Sequence, residues 1–185
     1  MMNREECLKL LAQYVQNPNM IKHCLASEIV LVKLAERLGQ DNDKWAAAGL
    51  LHDLDVEITH ADLKVHGQKT AQILRELNFN EDIIDAIVRH NEEATQLRRN
   101  TPFHFALAAG ETITGLITAT TLVYPDKKIA GVKAKSIVKR MKEKAFAASV
   151  NRYIIMECEK LGLGIDEFAE ISLKAMQSIS ADLSL

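Results

Sequence analysis

Apolar residues recur at helical spacing through almost the whole chain, and only three prolines and eight glycines interrupt its 185 residues. Residues three, four and seven positions apart share one face of an α-helix, so this spacing predicts helices that bury an apolar face. A first helix is predicted to end near Asn17. The others are predicted over about residues 19–38, 41–53, 66–78, 81–90, 103–124, 133–142, 146–160 and 166–183. The expected fold class is therefore all-α, a single helical bundle over residues 1–185.

One segment has features of both a helix and a strand. Eight residues between 103 and 124 are β-branched, which taken alone favours a strand. The length of the segment and the spacing of Leu107, Glu111, Thr114 and Thr118 favour a buried helix instead. We therefore predict a helix here.

The bulk properties exclude several classes of protein. A formal net charge of −2 is incompatible with a globally polycationic nucleic-acid binder. The chain contains no run of 18 or more apolar residues, so we predict no membrane span. Cys7, Cys24 and Cys158 are widely separated and form no Cys-x-x-Cys pair, so neither a zinc knuckle nor a disulfide framework is indicated. This cysteine usage predicts a cytoplasmic protein with buried free thiols.

An apolar run ends in a histidine and an aspartate. Residues 46–51 read AAAGLL, which is typical of a buried helix, and His52 and Asp53 follow directly. An unpaired carboxylate is costly to bury, so Asp53 needs a cation or several hydrogen-bond donors. A divalent metal ion would satisfy both residues, because it binds neutral imidazole and ionised carboxylate.

Four more residues of metal-binding type are predicted on apolar helix faces. They are His23, His66, His90 and Glu111. His90, for example, follows Ile83 and Ile87 by seven and three positions, which predicts that it points towards the core. A lone core histidine is more often a hydrogen-bonded structural residue than a ligand. A purely structural role becomes harder to maintain for the whole set, because each of these residues would need its own buried polar partner.

Taken in order, these residues resemble the H…HD…H…H…D signature of the HD-domain superfamily of metal-dependent phosphohydrolases. The resemblance is closer to a bacterial branch of uncharacterised HD-domain proteins of the HDIG type, and it covers nearly the whole chain. That branch usually has an aspartate at the position of Glu111. The segments that carry the resemblance are AGLLHD (48–53), HG (66–67), IVRHN (87–91), TGLI (114–117) and FAASVNR (146–152).

The resemblance implies a metal-binding core over about residues 19–124, with C-terminal helices over 129–184 packed on it. It implies one or two divalent transition metal ions, drawn from Mn, Fe, Zn, Ni and Co. The first metal would be held by His23, His52, Asp53 and Glu111. The second would be held by His66 and His90, with Asp53 bridging the two.

The implied activity is hydrolysis of a small phosphate ester or a nucleotide through a metal-activated water. Two dications and two carboxylates would give the site a charge of about +2, which attracts a phosphate-containing anion. Two alternatives stay open. One is a di-iron oxygenase, because iron accepts the same ligand types. The other is a non-catalytic module that binds a metal or another ligand.

Asp55 and His60, which follow the histidine–aspartate pair, are candidates for catalytic roles in addition to Asp53. Asp55 is a candidate general acid, water-orienting base or support for a metal ligand. His60 is a candidate acid for the leaving group. A polar loop exposed to solvent is the alternative explanation for this region.

Basic residues are concentrated in one later segment. Residues 127–144 contain eight lysines and arginines against one acid. The segment is either a solvated helix face or a basic rim that attracts an anionic substrate, with Lys133 and Lys135 as the expected substrate-binding residues. Because aromatic residues are sparse there, no nucleic-acid polymer is expected as a partner. No membrane partner is expected either, and pairing into a homodimer is compatible with the predicted fold.

Overall fold

The computed structural model describes residues 2–185, and in these residues the regular structure is helical, with no β-strand. Met1, which belongs to the domain predicted over 1–185, lies outside the described residues. The helices are α1 (Arg4–Tyr14), α2 (Pro18–Leu38), α3 (Asn42–Leu51), α4 (Gln68–Glu76), α5 (Glu81–His90), α6 (Glu92–Thr95), α7 (Pro102–Leu122), α8 (Ala134–Met141), α9 (Arg152–Ile155), α10 (Ile165–Ser178) and α11 (Ser180–Leu183). Short 3₁₀ segments span Ile129–Gly131 and Met156–Leu161. The prediction of an all-α fold is confirmed.

Polar side chains cap the N-terminal ends of the helices that carry or precede the candidate ligands. The Asn17 side chain accepts from the backbone at the start of α2, and Asp41 and Asn80 do the same for α3 and α5. Thr101 caps α7 and is followed by Pro102 in its first turn. These side chains satisfy N–H groups that have no partner within the helix.

The two longest helices, α2 and α7, form the centre of the core. α2 packs against α3, α7 and α10, and α7 also packs against α5. The side chains of Leu31 and Leu34 on α2 and of Leu107 on α7 are fully buried. Each ligand-bearing helix is therefore held by contacts with at least one of these two.

The segment with mixed features, residues 103–124, is helical in the structure as α7. Two of its buried threonines donate hydroxyl hydrogen bonds to carbonyl oxygens of the preceding turn: Thr120 to Leu116 O at 2.8 Å and Thr121 to Ile117 O at 2.9 Å. This bonding lets β-branched polar residues occupy a buried helix. By length and composition alone α7 is also apolar enough to cross a membrane, but 61% of its most apolar window is buried inside the protein. Its hydropathy is accounted for by its place in the core.

Two glycines allow the central helices to approach closely. A Cβ atom on Gly49 of α3 would lie 2.7 Å from the carbonyl oxygen of Ser27 in α2. A Cβ atom on Gly110 of α7 would lie 2.8 Å from the Leu31 side chain. The α2–α3 contact is therefore limited by backbone atoms, and it sets where the residues after α3 emerge.

The helix predicted over 146–160 is wrong in its first part. Residues 146–150 form a turn, α9 begins only at Arg152, and a 3₁₀ segment follows it. The guanidinium of Arg152 donates to the carbonyl oxygens of Phe146, Ala147 and Val150, and these bonds hold the turn. Asn151 then caps α9 by accepting from Tyr153 N.

We predict that Gly49→Ala destabilises the fold. The added methyl group would meet the α2 backbone, and overpacking of this kind costs about 1–3 kcal/mol in the free energy of unfolding. Urea denaturation measures the difference. Gly164→Ser is the control, because a Cβ atom there meets nothing within 4 Å and serine is favoured at a helix N-cap. Equal stability of the Gly49→Ala and wild-type proteins would contradict the prediction.

Candidate metal centre

The structure brings all six predicted ligand residues to one region, from five separate parts of the chain. His23 lies in the second turn of α2, and Glu111 lies near the middle of α7. The other four lie at or just beyond helix ends, where the chain leaves the core: His52, Asp53, His66 and His90. Helix packing, and not sequence proximity, creates the cluster.

His23, His52 and Asp53 form a first group of potential ligand atoms. The Nε2 atoms of His23 and His52 are 3.1 Å apart. Asp53 Oδ2 lies 3.6 Å from His23 Nε2, and Asp53 Oδ1 lies 3.3 Å from His52 Nε2. Each residue thus presents a potential ligand atom close to those of the other two.

Asp53, His66 and His90 form a second group. His66 Nε2 is 3.0 Å from Asp53 Oδ1 and 3.1 Å from His90 Nε2. Gly67 makes this packing feasible: its φ is +92°, and a Cβ atom there would lie 3.2 Å from the His90 ring. Asp53 belongs to both groups, so its carboxylate could serve as a metal ligand in either.

The opposite ring nitrogen of each histidine is committed to an oxygen atom. His52 Nδ1 donates to Gly49 O at 2.9 Å, and His90 Nδ1 donates to Ile87 O at 2.5 Å. His66 Nδ1 lies 2.7 Å from Asp55 Oδ1. Hydrogen bonds of this kind fix which nitrogen carries the proton and orient the ring.

His23 completes this pattern through Thr114. The Thr114 hydroxyl donates to Glu111 O at 2.6 Å, so its oxygen accepts from His23 Nδ1 at 3.0 Å. In their neutral forms, His23 and His52 therefore face each other with unprotonated Nε2 atoms. Two lone pairs 3.1 Å apart repel unless a cation lies between them, and nitrogens bound about 2.0–2.1 Å from one metal ion have a similar separation. The donor set fits a divalent metal ion.

The environment of the cluster affects the protonation of its histidines differently. Burial lowers the pKa of His23 to about 4 and that of His90 to about 3, so both imidazoles are neutral near pH 7. Burial also lowers the pKa of His66, but hydrogen bonds to Asp53 and Asp55 outweigh it and raise the pKa to about 10. Positive charge is therefore required beside Asp53, either as a proton on His66 or as a metal ion.

Glu111 lies at the edge of the cluster. Its Oε2 atom is 3.8 Å from His23 Nε2, and its Oε1 atom accepts a hydrogen bond from Thr112. It belongs to neither compact group of ligand atoms in the described part of the chain. Burial makes the ionised form of Glu111 costly and raises its pKa to about 8, with a smaller contribution from the charge of Asp53. A nearby cation would offset that cost.

Asp55, a predicted catalytic residue, lies behind His66 and does not line the cleft above the cluster. Its carboxylate is fully buried, and besides His66 Nδ1 it accepts from the backbone N–H groups of Gly67, Lys69 and Thr70 at 2.8–3.1 Å. It thereby caps the start of α4 and orients His66. Of the roles predicted for Asp55, the geometry favours support of a ligand.

His60, the other candidate acid, is exposed and likewise does not line the cleft. Lys133 and Lys135 are also outside it. They lie at the start of α8, which buries Ile137 against α7 and α10 and leaves both lysines exposed to solvent. The structure therefore does not bring His60, Lys133 and Lys135 together with the cluster of candidate ligands.

A cleft of about 690 Å³ opens above the two ligand groups. His23, Asp53, His66, His90 and Glu111 reach it, whereas His52 is buried beneath. Sequence reasoning missed its outer wall. That wall includes Asn91, Glu92, Glu93, Arg99, Ser149, Asn151, Tyr153 and Glu157.

The C-terminal part of this wall comes from the turn before α9. Arg152 shapes this turn, and Val150 packs against Gly115 of α7, where a Cβ atom would lie 3.3 Å from the Val150 side chain. Tyr153 is 85% exposed at the rim. The FAASVNR segment was a signal for this region, although its residues alone do not indicate which of them face the cleft.

We predict that the number of metal ions bound depends on which of the two ligand groups is intact. Asp53→Ala should abolish binding of both metal equivalents, because both groups use its carboxylate, whereas His23→Ala and His90→Ala should each lose one. Elemental analysis after loading and desalting measures this. His60→Ala, an exposed histidine outside the cluster, is the control and should keep the wild-type content. Undiminished binding by Asp53→Ala would contradict the shared-ligand geometry.

The chain is similar to known proteins over part of its length. Over 94 residues it is 31% identical to Ribonuclease Y of Lawsonia intracellularis, which covers 48% of this chain and 18% of that protein. Over 75 residues it is 33% identical to Ribonuclease Y of Nitratidesulfovibrio vulgaris, strain DP4, covering 40% and 14%. These matches span less than a fifth of each relative's length. No solved structure matches the chain.

The HD domain family matches residues 20–118. This range starts just before His23 and ends after Glu111, so it contains every residue of the two ligand groups. It also covers more than half of the chain. The sequence signature, the clustered histidines around Asp53 and the extent of this match together show that the chain belongs to the HD domain family.

Proposed function

We propose that this chain is a metal-dependent phosphohydrolase that acts on a small phosphate ester or a nucleotide. The observation that carries the proposal is the pair of ligand groups that share Asp53 on the floor of the cleft. A bound divalent ion would lower the pKa of a coordinated water and stabilise charge on phosphoryl oxygens. The HD domain family consists generally of metal-dependent hydrolases, which supports the same reaction class.

The chain's own residues would prepare the site in two ways. Asp53 stays ionised, because although burial raises its pKa, His52 and His66 lower it well below the usual range. Asp55 holds His66 by its Nδ1 atom and so keeps Nε2 directed at the shared carboxylate. Preorganised ligands of this kind bind without a large rearrangement of the protein.

The charges of the cleft support a small substrate. Of the described residues that line it, Arg99 is the only lysine or arginine, and its guanidinium is paired with Glu157. Glu92 and Glu93 lie on the same wall. Proteins that bind nucleic-acid backbones rely on lysines and arginines to neutralise phosphates. A compound with one or two phosphates, bound mainly through the metal centre, suits these walls better than a polyanion.

RNA is the second candidate substrate, because the similar proteins are named Ribonuclease Y. A phosphodiester bond would make the same demands on the metal centre as a monoester. The sparse positive charge of the cleft counts against tight binding of a long strand. A short oligoribonucleotide would test this candidate directly.

We predict that chelation abolishes phosphate-ester hydrolysis and that readdition of Mn²⁺, Fe²⁺, Zn²⁺, Ni²⁺ or Co²⁺ restores it. The assay measures phosphate release from a phenyl phosphate monoester and from mononucleotides, and cleavage of a short oligoribonucleotide into shorter fragments. Undiminished hydrolysis by the metal-free protein would contradict the proposal. Oxygen consumption without phosphate release by the iron-loaded protein would favour a di-iron oxygenase. Full metal content with no turnover would favour a binding module.

We further predict that the double variant Lys133→Gln, Lys135→Gln keeps the wild-type KM for a phosphate ester. The reason is that both side chains lie outside the cleft. Steady-state kinetics at low ionic strength, where screening is weakest, is the stringent test. A clear increase in KM would show that the basic segment steers the substrate after all.

A further inference from the structure

We propose that Arg99 is a positioning residue that keeps the second ligand group, Asp53, His66 and His90, competent to bind metal by tying His90 to the C-terminal segment. The proposal rests on the metal centre and does not depend on phosphate-ester hydrolysis. Although Arg99 carries a charge, its side chain is only 6% exposed. A buried guanidinium requires partners for most of its five N–H donors.

One side of the guanidinium holds the end of α5. Arg99 Nη1 donates to the carbonyl oxygens of Arg89 and His90, at 2.9 and 3.1 Å. The last carbonyl groups of a helix have no partner within the helix, so these bonds satisfy groups that would otherwise be unpaired. His90 is the last residue of α5 and the carrier of the Nε2 atom beside His66. Its backbone is thus held by Arg99 while its ring is held by Ile87 O.

The other side of the guanidinium holds the C-terminal segment. Arg99 Nε and Nη2 donate to the two carboxylate oxygens of Glu157, at 2.7 and 2.9 Å. Glu157 lies in the 3₁₀ segment after α9, and that segment packs against α7. A paired, two-point contact of this kind has a defined direction as well as strength. Arg99 therefore links His90 to a segment outside the range matched by the HD domain family.

The first ligand group has a different support. His52, which directly follows α3, is bonded to Gly49 O of that helix, and His23 is bonded to Thr114 on α7. Neither bond involves Arg99 or Glu157. A disturbance at Arg99 should consequently reach the second group and leave the first unchanged.

Arg99→Lys and Glu157→Gln are the test variants. Lysine retains the charge of Arg99 but cannot hold two carbonyl groups and a carboxylate in one plane. Glutamine keeps an acceptor oxygen at position 157 but removes the charge of the pair. Arg98→Lys is the matched control: Arg98 is the neighbouring residue, is 84% exposed and pairs with Glu92.

The experiment measures Mn²⁺ affinity by calorimetric titration in two backgrounds. His23→Ala disables the first group and so reports the second; His90→Ala disables the second and so reports the first. In the His23→Ala background we expect Arg99→Lys and Glu157→Gln to weaken Mn²⁺ binding about tenfold, as outer contacts to metal ligands do. In the His90→Ala background, and for Arg98→Lys in either, we expect no change.

Thermal unfolding of each metal-free variant shows whether it is folded. If Arg99→Lys fails to fold, Glu157→Gln alone decides the test. Equal loss in both backgrounds would mean that Arg99 only stabilises the fold, and this overturns the proposal. Unchanged affinity in the His23→Ala background, or no Mn²⁺ binding there at all, overturns it too. Because no step measures turnover, failure of the hydrolase proposal would leave this result intact.

Discussion

The charge of Asp53 is the constraint around which this end of the protein is organised. Its carboxylate is almost fully buried, and an ion in that position costs several kcal/mol unless opposite charge or hydrogen-bond donors compensate. The compensation comes from His66 in its protonated form, or from a metal ion held by His66 and the neutral imidazoles of His23, His52 and His90. These groups can compensate only if the helices keep their spacing, which makes the glycine contact between α2 and α3 a requirement of the site as well as of the core.

The two ligand groups are built on the same local device. His52 follows the last residue of α3 and His90 ends α5, and each donates Nδ1–H to the carbonyl oxygen three residues earlier. A helix end supplies such a carbonyl without a competing partner. Each imidazole ring is consequently fixed by a carbonyl group of the adjoining helix, and its Nε2 atom is directed away from that carbonyl group. His66 has no helix before it, and Asp55 takes over this function while capping α4.

The parts of this arrangement that the sequence predicted are those that depend on local pattern. Helical spacing predicted that His90 points inwards, and the apolar run before His52 predicted a buried pair. The parts it did not predict depend on distant partners: Arg99 meets Glu157 across 58 positions, and Arg152 folds back on the residues before it. The apolar spacing is compatible with a helix over 146–160. It contains no information about the hydrogen bonds from the Arg152 guanidinium to backbone carbonyl groups, which hold residues 146–150 in a turn. Residue composition likewise did not show which way the lysines of α8 face.

The placement of charge also bears on how an anionic substrate can bind. The cleft is lined by Glu92, Glu93, Glu111 and Glu157 as well as Asp53, and its one guanidinium is committed to Glu157 and to the end of α5. The protein surface of the cleft therefore presents mainly negative charge to a phosphate group. Cations bound by the histidines would reverse that sign next to Asp53. In the proposed function, substrate binding and hydrolysis would both depend on the same ions, and a site that lost its metal would lose its affinity for phosphate together with its chemistry.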